Sequence, residues 1–252
     1  MGLEEYLTAQ QRNLDAIKSS MHYSRLIETV EHLYRSTFNL GPLVCPRICF
    51  AKMLLMCHKS FLSAATLIAR GQAEDAAPVS RRAIEIGHLA IAVHLDSQNY
   101  LKWLDAKRRM ARIASRMKGE RPTNEPGHKW GKDVLEHPLL ADLRKFLGMI
   151  SDYYAHFTPE FEGNLAWSEE AGAEGVSLQL QYFDTDSRAI NCAFLTLAAI
   201  HLKLLEVFNA CFGGGLERDG GWQLVKTTAE AIARELAQEF RPEEQKPTST
   251  TS

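Results

Sequence analysis

Apolar side chains recur at three- and four-residue steps along most of this chain, which is the spacing of amphipathic helices. The first such series is Leu14, Ile17, Met21, Leu26, Val30 and Leu33, and no Pro or Gly interrupts it. This series predicts one long helix from Leu3 to about Arg35, or two helices with a break near Ser19-Ser20.

Breaker residues divide the rest of the chain into further predicted helices. Their predicted ranges are 47–69, 74–95, 96–117, 137–157, 185–212 and 221–240. Gly71 and the Gly213-Gly214-Gly215 run stop two of them, and Asp96-Ser97 caps the start of another. Residues 119–131 contain two Pro and three Gly and predict a loop.

The hydrophobic period changes from helical to alternating between residues 163 and 183. Leu165 and Trp167, then Val176, Leu178, Leu180 and Tyr182, alternate with polar or small residues. This pattern predicts a small β-hairpin inserted among the helices. We therefore expect an all-α, single-domain bundle of about seven helices over residues 1–240, followed by a disordered tail over residues 241–252.

Composition narrows the class of protein. The chain has 252 residues, of which 45% are apolar, enough for one sizeable buried core. Five scattered cysteines and an N-terminus without an apolar leader predict a reducing, cytoplasmic location. The uncharged stretch from Ala189 to Leu202 is too short and too polar to span a bilayer, so we expect no membrane contact.

Steps of four and three residues place Arg81, Glu85 and His88 on one face of the predicted helix over residues 74–95. Apolar rows flank this stripe, so we expect the helix to be central and the stripe partly buried. The remaining face consists of small residues suited to close helix contact: Ala83, Gly87 and Ala90. Because a buried charge is costly unless it is paired, we expect an internal Arg81–Glu85 ion pair. Such a pair either has a functional role or only fixes the register of the helix. The adjacent Arg82 could belong to the polar stripe or to the neighbouring face of the helix.

Asp152 and His156 are one helical turn apart near the end of the predicted helix over residues 137–157. A carboxylate one turn before a histidine can orient its ring and raise its pKa, which suits a general acid or base. The same spacing also suits an ordinary surface pair. Tyr153 and Tyr154 favour a pocket, because aromatic and ionisable groups at a helix end often line one.

Residues 101–121 contain eight basic side chains and two acidic ones, whereas the whole chain has a net charge of −2. Such an asymmetry indicates an anionic partner, for instance RNA. The expected phosphate-binding residues are Lys102, Lys107, Arg108, Arg109, Arg112 and Arg116. The alternative is a solvated helix face whose charges pair with acids elsewhere in the bundle.

Metal and cofactor motifs are incomplete in this sequence. Glu85 and His88 have the Glu-x-x-His spacing of half a di-metal carboxylate site, but there is no second copy. Cys45, Cys49 and Cys57 lack the second ligand pair of a zinc site, so we expect them to be buried apolar cysteines. A phosphate-binding glycine loop and a dinucleotide fingerprint are also missing from the sequence. We expect no metal and no cofactor.

Three segments resemble a family of bacterial helical proteins that has no established activity. They are Arg81-Arg82-Ala83-Ile84-Glu85, Tyr100-Leu101-Lys102-Trp103 and Ser151-Asp152-Tyr153-Tyr154-Ala155-His156. The family has an Arg-x-x-x-Glu or Arg-x-x-Glu helix and a later Tyr/Ser-rich segment that ends in His. The resemblance spans about residues 50 to 165, and it implies a helical bundle.

Arg82 and His88 give a remoter similarity to HEPN-type domains, whose signature is an Arg followed four to six residues later by a His. These domains are helical bundles that often serve as RNA-cleaving toxins or phage-defence effectors, so the similarity implies RNA-directed chemistry. The residue after the Arg is usually polar, and here it is Ala83. A step of six residues within one helix separates two side chains by about 120°. Arg82 and His88 could therefore meet in one site only through a dimer or a kink in the helix.

The first functional hypothesis is a nucleic-acid-directed stress or phage-defence component and, if it is an enzyme, a metal-independent ribonuclease. His156 or His88 would then be the general base or acid, and Arg81 or Arg82 would stabilise the phosphate. The alternative is a non-enzymatic module that binds a protein or a small ligand and in which these polar residues form a structural core. The enzymatic hypothesis requires groups from two central helices to meet in one cleft, and a homodimer is compatible with it.

Overall fold

The structure is a computed structural model that describes residues 3–19, 21–37, 47–99, 101–102, 132–153, 167–172, 175–180, 187–217 and 221–239. Within these ranges the helices are α1 (Leu3–Ser19), α2 (Met21–Ser36), α3 (Arg47–Ala69), α4 (Ala73–Leu95), α5 (Lys132–Leu135), α6 (Ala141–Tyr153), α7 (Ser187–Cys211) and α8 (Gly221–Glu239). Short 3-10 turns at Pro138–Leu140 and Gly215–Glu217 precede α6 and follow α7. The predicted all-α helical bundle is confirmed.

Helix boundaries follow local chemistry at several predicted positions. The first apolar series forms two helices, α1 and α2, and not one long helix. The two-helix alternative of the prediction is therefore confirmed. Gly71 has a φ of 79° and Gly213 a φ of 65°, in the left-handed region that favours glycine. After α3, the Gly71 N–H donates to the Ile68 carbonyl at 2.9 Å and ends the helix.

The helix predicted to begin after Asp96 starts as expected. Asp96 Oδ1 accepts a hydrogen bond of 2.9 Å from the backbone N–H of Gln98, as an N-capping carboxylate does. Residues 98, 99, 101 and 102 are helical. The rest of this helix, the loop over residues 119–131 and the tail over residues 241–252 lie outside the described residues.

Two short strands are described between α6 and α7. β1 (Trp167–Gly172) pairs antiparallel with β2 (Gly175–Leu180), in a register that places Trp167 opposite Leu180 and Gly172 opposite Gly175. They lie within residues 163–183, where the sequence predicts a hairpin. That this pair forms a hairpin inserted into the bundle stays a prediction.

The core of the bundle is built around α7. This helix contacts α2, α3, α4, α6 and α8. Its buried residues include Phe194, Leu204 and Phe208. α4 passes so close to α7 that a Cβ atom added to Gly87 would lie 2.6 Å from Leu204 Cδ2. Ala83, Gly87 and Ala90 are all buried, so the predicted small-residue contact face of α4 is confirmed.

Among the described residues, two helices are long and apolar enough, by length and composition, to cross a membrane. They cover Arg47–Ala69 and Ile190–Cys211. In their most apolar windows, 44% and 61% of the residues are buried inside the structure. Core helices of a helical bundle have the same properties, so the signal for a membrane is weak. The cytoplasmic location and the absence of membrane contact stay predictions.

Candidate functional site

The polar stripe on α4 divides into an exposed part and a buried part. Arg81 Nε lies 3.3 Å from Glu85 Oε1, but the two side chains are 41% and 57% exposed. The prediction of an internal ion pair is therefore wrong, because the pair forms on the surface. Arg82 is also exposed. His88 is buried, as expected for the stripe.

The position of each residue along α4 explains this division. In the first half of the helix, Asp75, Pro78, Arg82 and Glu85 are exposed at steps of three and four residues and form a solvent-facing strip. From Ile86 to Val93 every residue is buried, because this half is covered on all sides. The spacing correctly places the stripe on one face of the helix. It does not show where along that face the neighbouring helices begin to cover it.

His88 interacts with its own helix. Its Nδ1 lies 2.9 Å from the Ile84 carbonyl, so the ring donates one N–H to the backbone and Nδ1 is not available as a base. Burial lowers the pKa of His88 below 6.5, and the positive charge of Arg144 lowers it further, although the Ile84 carbonyl and Glu85 act in the opposite direction. The His88 ring is therefore neutral at pH 7. Its hydrogen bond to the backbone of its own helix also suits a purely structural role.

The second predicted pair is only partly described. Asp152 lies in α6, but its side chain is outside the described part of the structure, and His156 lies outside the described residues altogether. α4 and α6 do pack together, with Leu143 Cδ1 3.5 Å from the position of a Cβ on Gly87. That contact is apolar. The convergence of Asp152 and His156 with the α4 stripe stays a prediction.

Of the predicted phosphate-binding residues, the structure describes Lys102 alone. Its side chain is exposed and its Nζ lies 3.2 Å from Asp96 Oδ2 and 3.4 Å from Asn99 Oδ1. Lys107, Arg108, Arg109, Arg112 and Arg116 lie outside the described residues. The basic helix over residues 101–121 as a nucleic-acid surface stays a prediction.

A buried polar cluster that the sequence did not reveal joins α2, α3 and α7. The Tyr34 hydroxyl and His201 Nδ1 are 2.7 Å apart and share a hydrogen bond. His58 stacks on Tyr34 with ring centroids 5.0 Å apart, and Phe61 meets His201 edge-on at 5.0 Å. Tyr34 and His201 are fully buried, so neither is accessible to a ligand from solvent. This cluster is a structural polar core made of residues other than the predicted ones.

Burial determines the protonation states in this cluster. It raises the pKa of Tyr34 well above 10, with Cys57 adding to the effect, so the hydroxyl keeps its proton. Burial and the nearby His58 lower the pKa of His201 to about 3. The hydrogen bond between the two side chains therefore joins two neutral groups at pH 7. Neutral pairing avoids the large cost of a charge in the core.

The described surface contains a cleft of about 530 Å³ between α6, α7 and α8, called here the α6/α7/α8 cleft. The residues that line it come from one face of each helix: Asp142, Lys145, Phe146, Met149, Ala199, Leu202, Lys203, Glu206, Glu230, Ala233 and Arg234. On α6 and α7 they recur at steps of three, four and seven residues. Apolar and charged side chains thus share one concave surface.

Ion pairs connect the three walls of the α6/α7/α8 cleft. Lys203 of α7 lies 3.6 Å from Asp142 of α6 and 3.1 Å from Glu206 of its own helix. Lys226 of α8 lies 2.7 Å from Glu206 and 3.8 Å from Glu230. These contacts link α6, α7 and α8 around the cleft.

The pKa values of Glu206, Asp142 and Lys203 are all shifted away from neutrality. Burial by itself raises the pKa of Glu206, but hydrogen bonds from Lys226 and Lys203 outweigh it and lower the pKa below 4.5. The hydrogen bond from Lys145 lowers the pKa of Asp142. Burial by itself lowers the pKa of Lys203, yet its bonds to Glu206 and Asp142 raise it above 10.5. These groups therefore provide fixed charges and do not titrate near pH 7.

Three of the five ion pairs around the cleft have spacings that are visible in the sequence. Asp142 and Lys145 are three residues apart, as are Lys203 and Glu206, and Lys226 and Glu230 are four apart; these are the spacings of ion pairs within one helix. The contacts between helices, such as Lys203 with Asp142, depend on how α6, α7 and α8 pack. No local spacing in the sequence indicates that packing.

Comparison with protein-family models, with curated proteins and with solved structures finds no match to this chain.

Proposed function

We propose that this protein is a non-enzymatic binding module that holds a small amphipathic molecule in the α6/α7/α8 cleft. The observation that supports this proposal is the composition of the cleft: an apolar surface that includes Phe146, Leu202 and Ala233 within about 530 Å³, with fixed charges beside it. Pockets for small molecules combine this range of volume with a few well-placed polar groups. Apolar contact supplies affinity in such a pocket, and the charges orient the ligand.

The protonation states favour binding over acid–base catalysis. A general acid or base works best when its pKa is near the operating pH. The hydrogen bonds and ion pairs of the cleft instead move the pKa of Glu206 down and that of Lys203 up, away from neutrality. Groups of this kind recognise charge and polarity without exchanging protons.

The test is binding of an uncharged aromatic probe, 2-naphthamide, measured by ligand-observed NMR and by isothermal titration calorimetry. Ala199 lines the cleft and is half-buried, so Ala199→Phe should fill the cleft and abolish saturable binding. Ala193→Phe is the matched control, because Ala193 is also half-buried on α7 and does not line the cleft. If Ala199→Phe does not fold by circular dichroism, Ala233→Phe provides the same block from α8. Absence of saturable binding to the wild type, or equal binding by blocked and control variants, contradicts the proposal.

A second candidate is the nucleic-acid-directed role that the charge of residues 101–121 favours. In this proposal the basic helix binds RNA, and any cleavage is metal-independent and uses His156 and Arg82. Neutralising four phosphates makes single-strand affinity fall about 50-fold between 50 and 200 mM salt. Fluorescence anisotropy with labelled single-stranded RNA measures this slope. A variant with Arg108, Arg109, Arg112 and Arg116 all changed to Gln should lose it, and binding that is insensitive to salt or to this variant contradicts the second candidate.

A further inference from the structure

Each carboxylate that lines the α6/α7/α8 cleft already has a cation beside it. Asp142 lies 3.3 Å from Lys145 and 3.6 Å from Lys203. Glu206 lies 3.1 Å from Lys203 and 2.7 Å from Lys226, and Lys226 also reaches Glu230 at 3.8 Å. A cationic ligand that entered the cleft would therefore have to displace a lysine from one of these acids.

Arg234 differs from the other cations of the cleft. It lines the cleft next to Ala233, its side chain is exposed, and its Nε donates to the backbone carbonyl of Glu230 at 3.3 Å. Among the described side chains, no carboxylate lies within ion-pair distance of its guanidinium. Within the described residues, only the Nε of Arg234 has a hydrogen bond, and we expect its two terminal amino groups to face an acceptor that enters the cleft.

We propose that the ligand of the α6/α7/α8 cleft is an organic carboxylate with an apolar body, whose carboxylate binds Arg234 while its body lies on Phe146, Leu202 and Ala233. This inference rests on the proposed function and specifies the chemical class of the ligand. Charge complementarity favours an anion, because among the described side chains Arg234 is the cleft cation without a carboxylate partner, whereas the three carboxylates of the cleft are already paired.

The chemistry of arginine suits an oxyanion such as a carboxylate. The guanidinium is planar and presents parallel N–H groups that match the two oxygens of a carboxylate. The bond from Nε to the Glu230 carbonyl restrains the side chain near the cleft and lowers the entropy lost when the ligand binds. The apolar surface beside Arg234 partly excludes water, which strengthens a charge-assisted hydrogen bond relative to one at an open surface.

Three probes of nearly equal shape test this inference: 2-naphthoate, 2-naphthamide and 2-naphthylmethylammonium. For the wild-type protein, calorimetry should show 2-naphthoate binding about tenfold more tightly than the amide, as expected for one charge-assisted contact. The ammonium probe should bind more weakly than the amide. Arg234→Gln should reduce the affinity for 2-naphthoate by about five- to tenfold and leave the affinity for the amide unchanged.

Arg12→Gln is the matched control, because Arg12 is an exposed arginine on α1 that does not line the cleft. It should bind all three probes as the wild type does. Equal affinities for 2-naphthoate and 2-naphthamide, or no change in Arg234→Gln, overturn the carboxylate inference while the binding module stands. Failure of 2-naphthamide to bind the wild type contradicts the proposed function, and failure of 2-naphthoate as well overturns the inference together with it.

Discussion

Because His201 is buried, we expect the protein to lose folding stability when the pH falls from 7 to 5. In the folded chain the ring is fully buried, and burial together with the neighbouring His58 lowers its pKa from 6.5 to about 3. In the unfolded chain the ring is in water and titrates near its ordinary pKa. Between these two values the unfolded chain binds a proton that the folded chain does not bind. The stability is therefore complete above the unfolded pKa and falls as the pH is lowered toward the folded one.

The magnitude follows from the difference in proton binding. Each pH unit between the folded and unfolded pKa values removes up to about 1.4 kcal/mol. At pH 5, which is 1.5 units below the unfolded pKa, His201 should contribute about 2 kcal/mol of destabilisation. Burial also lowers the pKa values of His58 and His88, so both add to the acid sensitivity with the same sign. The part due to His201 must therefore be isolated by substitution.

The double variant Tyr34→Phe/His201→Leu isolates the contribution of His201 to the acid sensitivity. Replacing both partners of a buried hydrogen bond by apolar groups leaves neither one unsatisfied, so the variant should fold at pH 7. Urea unfolding followed by far-ultraviolet circular dichroism at pH 7 and at pH 5 gives the stability difference for each protein. The double variant should lose about 2 kcal/mol less than the wild type. Equal losses in the two proteins would refute a neutral, buried His201 as a source of acid sensitivity.

Two further predictions concern α4. Gly87→Ala should be less stable than Gly148→Ala by about 1–2 kcal/mol, because its Cβ would lie 2.6 Å from Leu204 Cδ2 in the core and that side chain would have to shift. Gly148→Ala in α6, where nothing lies within 4 Å of the added atom, should instead be neutral or stabilising by up to about 1 kcal/mol. A decrease of the thermal midpoint in both variants would mean that close packing at Gly87 is not the cause. Arg81→Ala should change the free energy of urea unfolding by less than about 0.5 kcal/mol, because its pair with Glu85 is exposed.

The helices of this bundle could be predicted because each has its own local signals. The division between α1 and α2, the glycine at position 71 and the apolar period of α7 are all visible without knowledge of the packing. The four-residue helix α5 was not predicted, since a single turn contains too few residues to show a period. The helical class and the main boundaries therefore depend on short-range physics that the sequence displays directly.

The candidate site was harder to predict because it depends on contacts between helices. The spacing of Arg81 and Glu85 gave their pairing correctly, but their exposure depends on where neighbouring helices cover α4. Tyr34 and His201 are 167 positions apart in the chain, and no periodic pattern connects them. The α6/α7/α8 cleft combines faces from three helices in the same way. These features depend on packing between helices that are far apart in the sequence. Patterns within a single sequence indicate mainly local secondary structure, so they could not predict them.

The position of α7 late in the chain has a consequence for how the protein folds as it is synthesised. α2, α3 and α4 all pack on α7, yet they leave the ribosome well before Ser187–Cys211. α3 and α4 also pack on each other, but until α7 emerges the parts of α2, α3 and α4 that it covers are exposed to chaperones and to other unfinished chains. The nascent polypeptide therefore cannot complete its core before α7 has been synthesised.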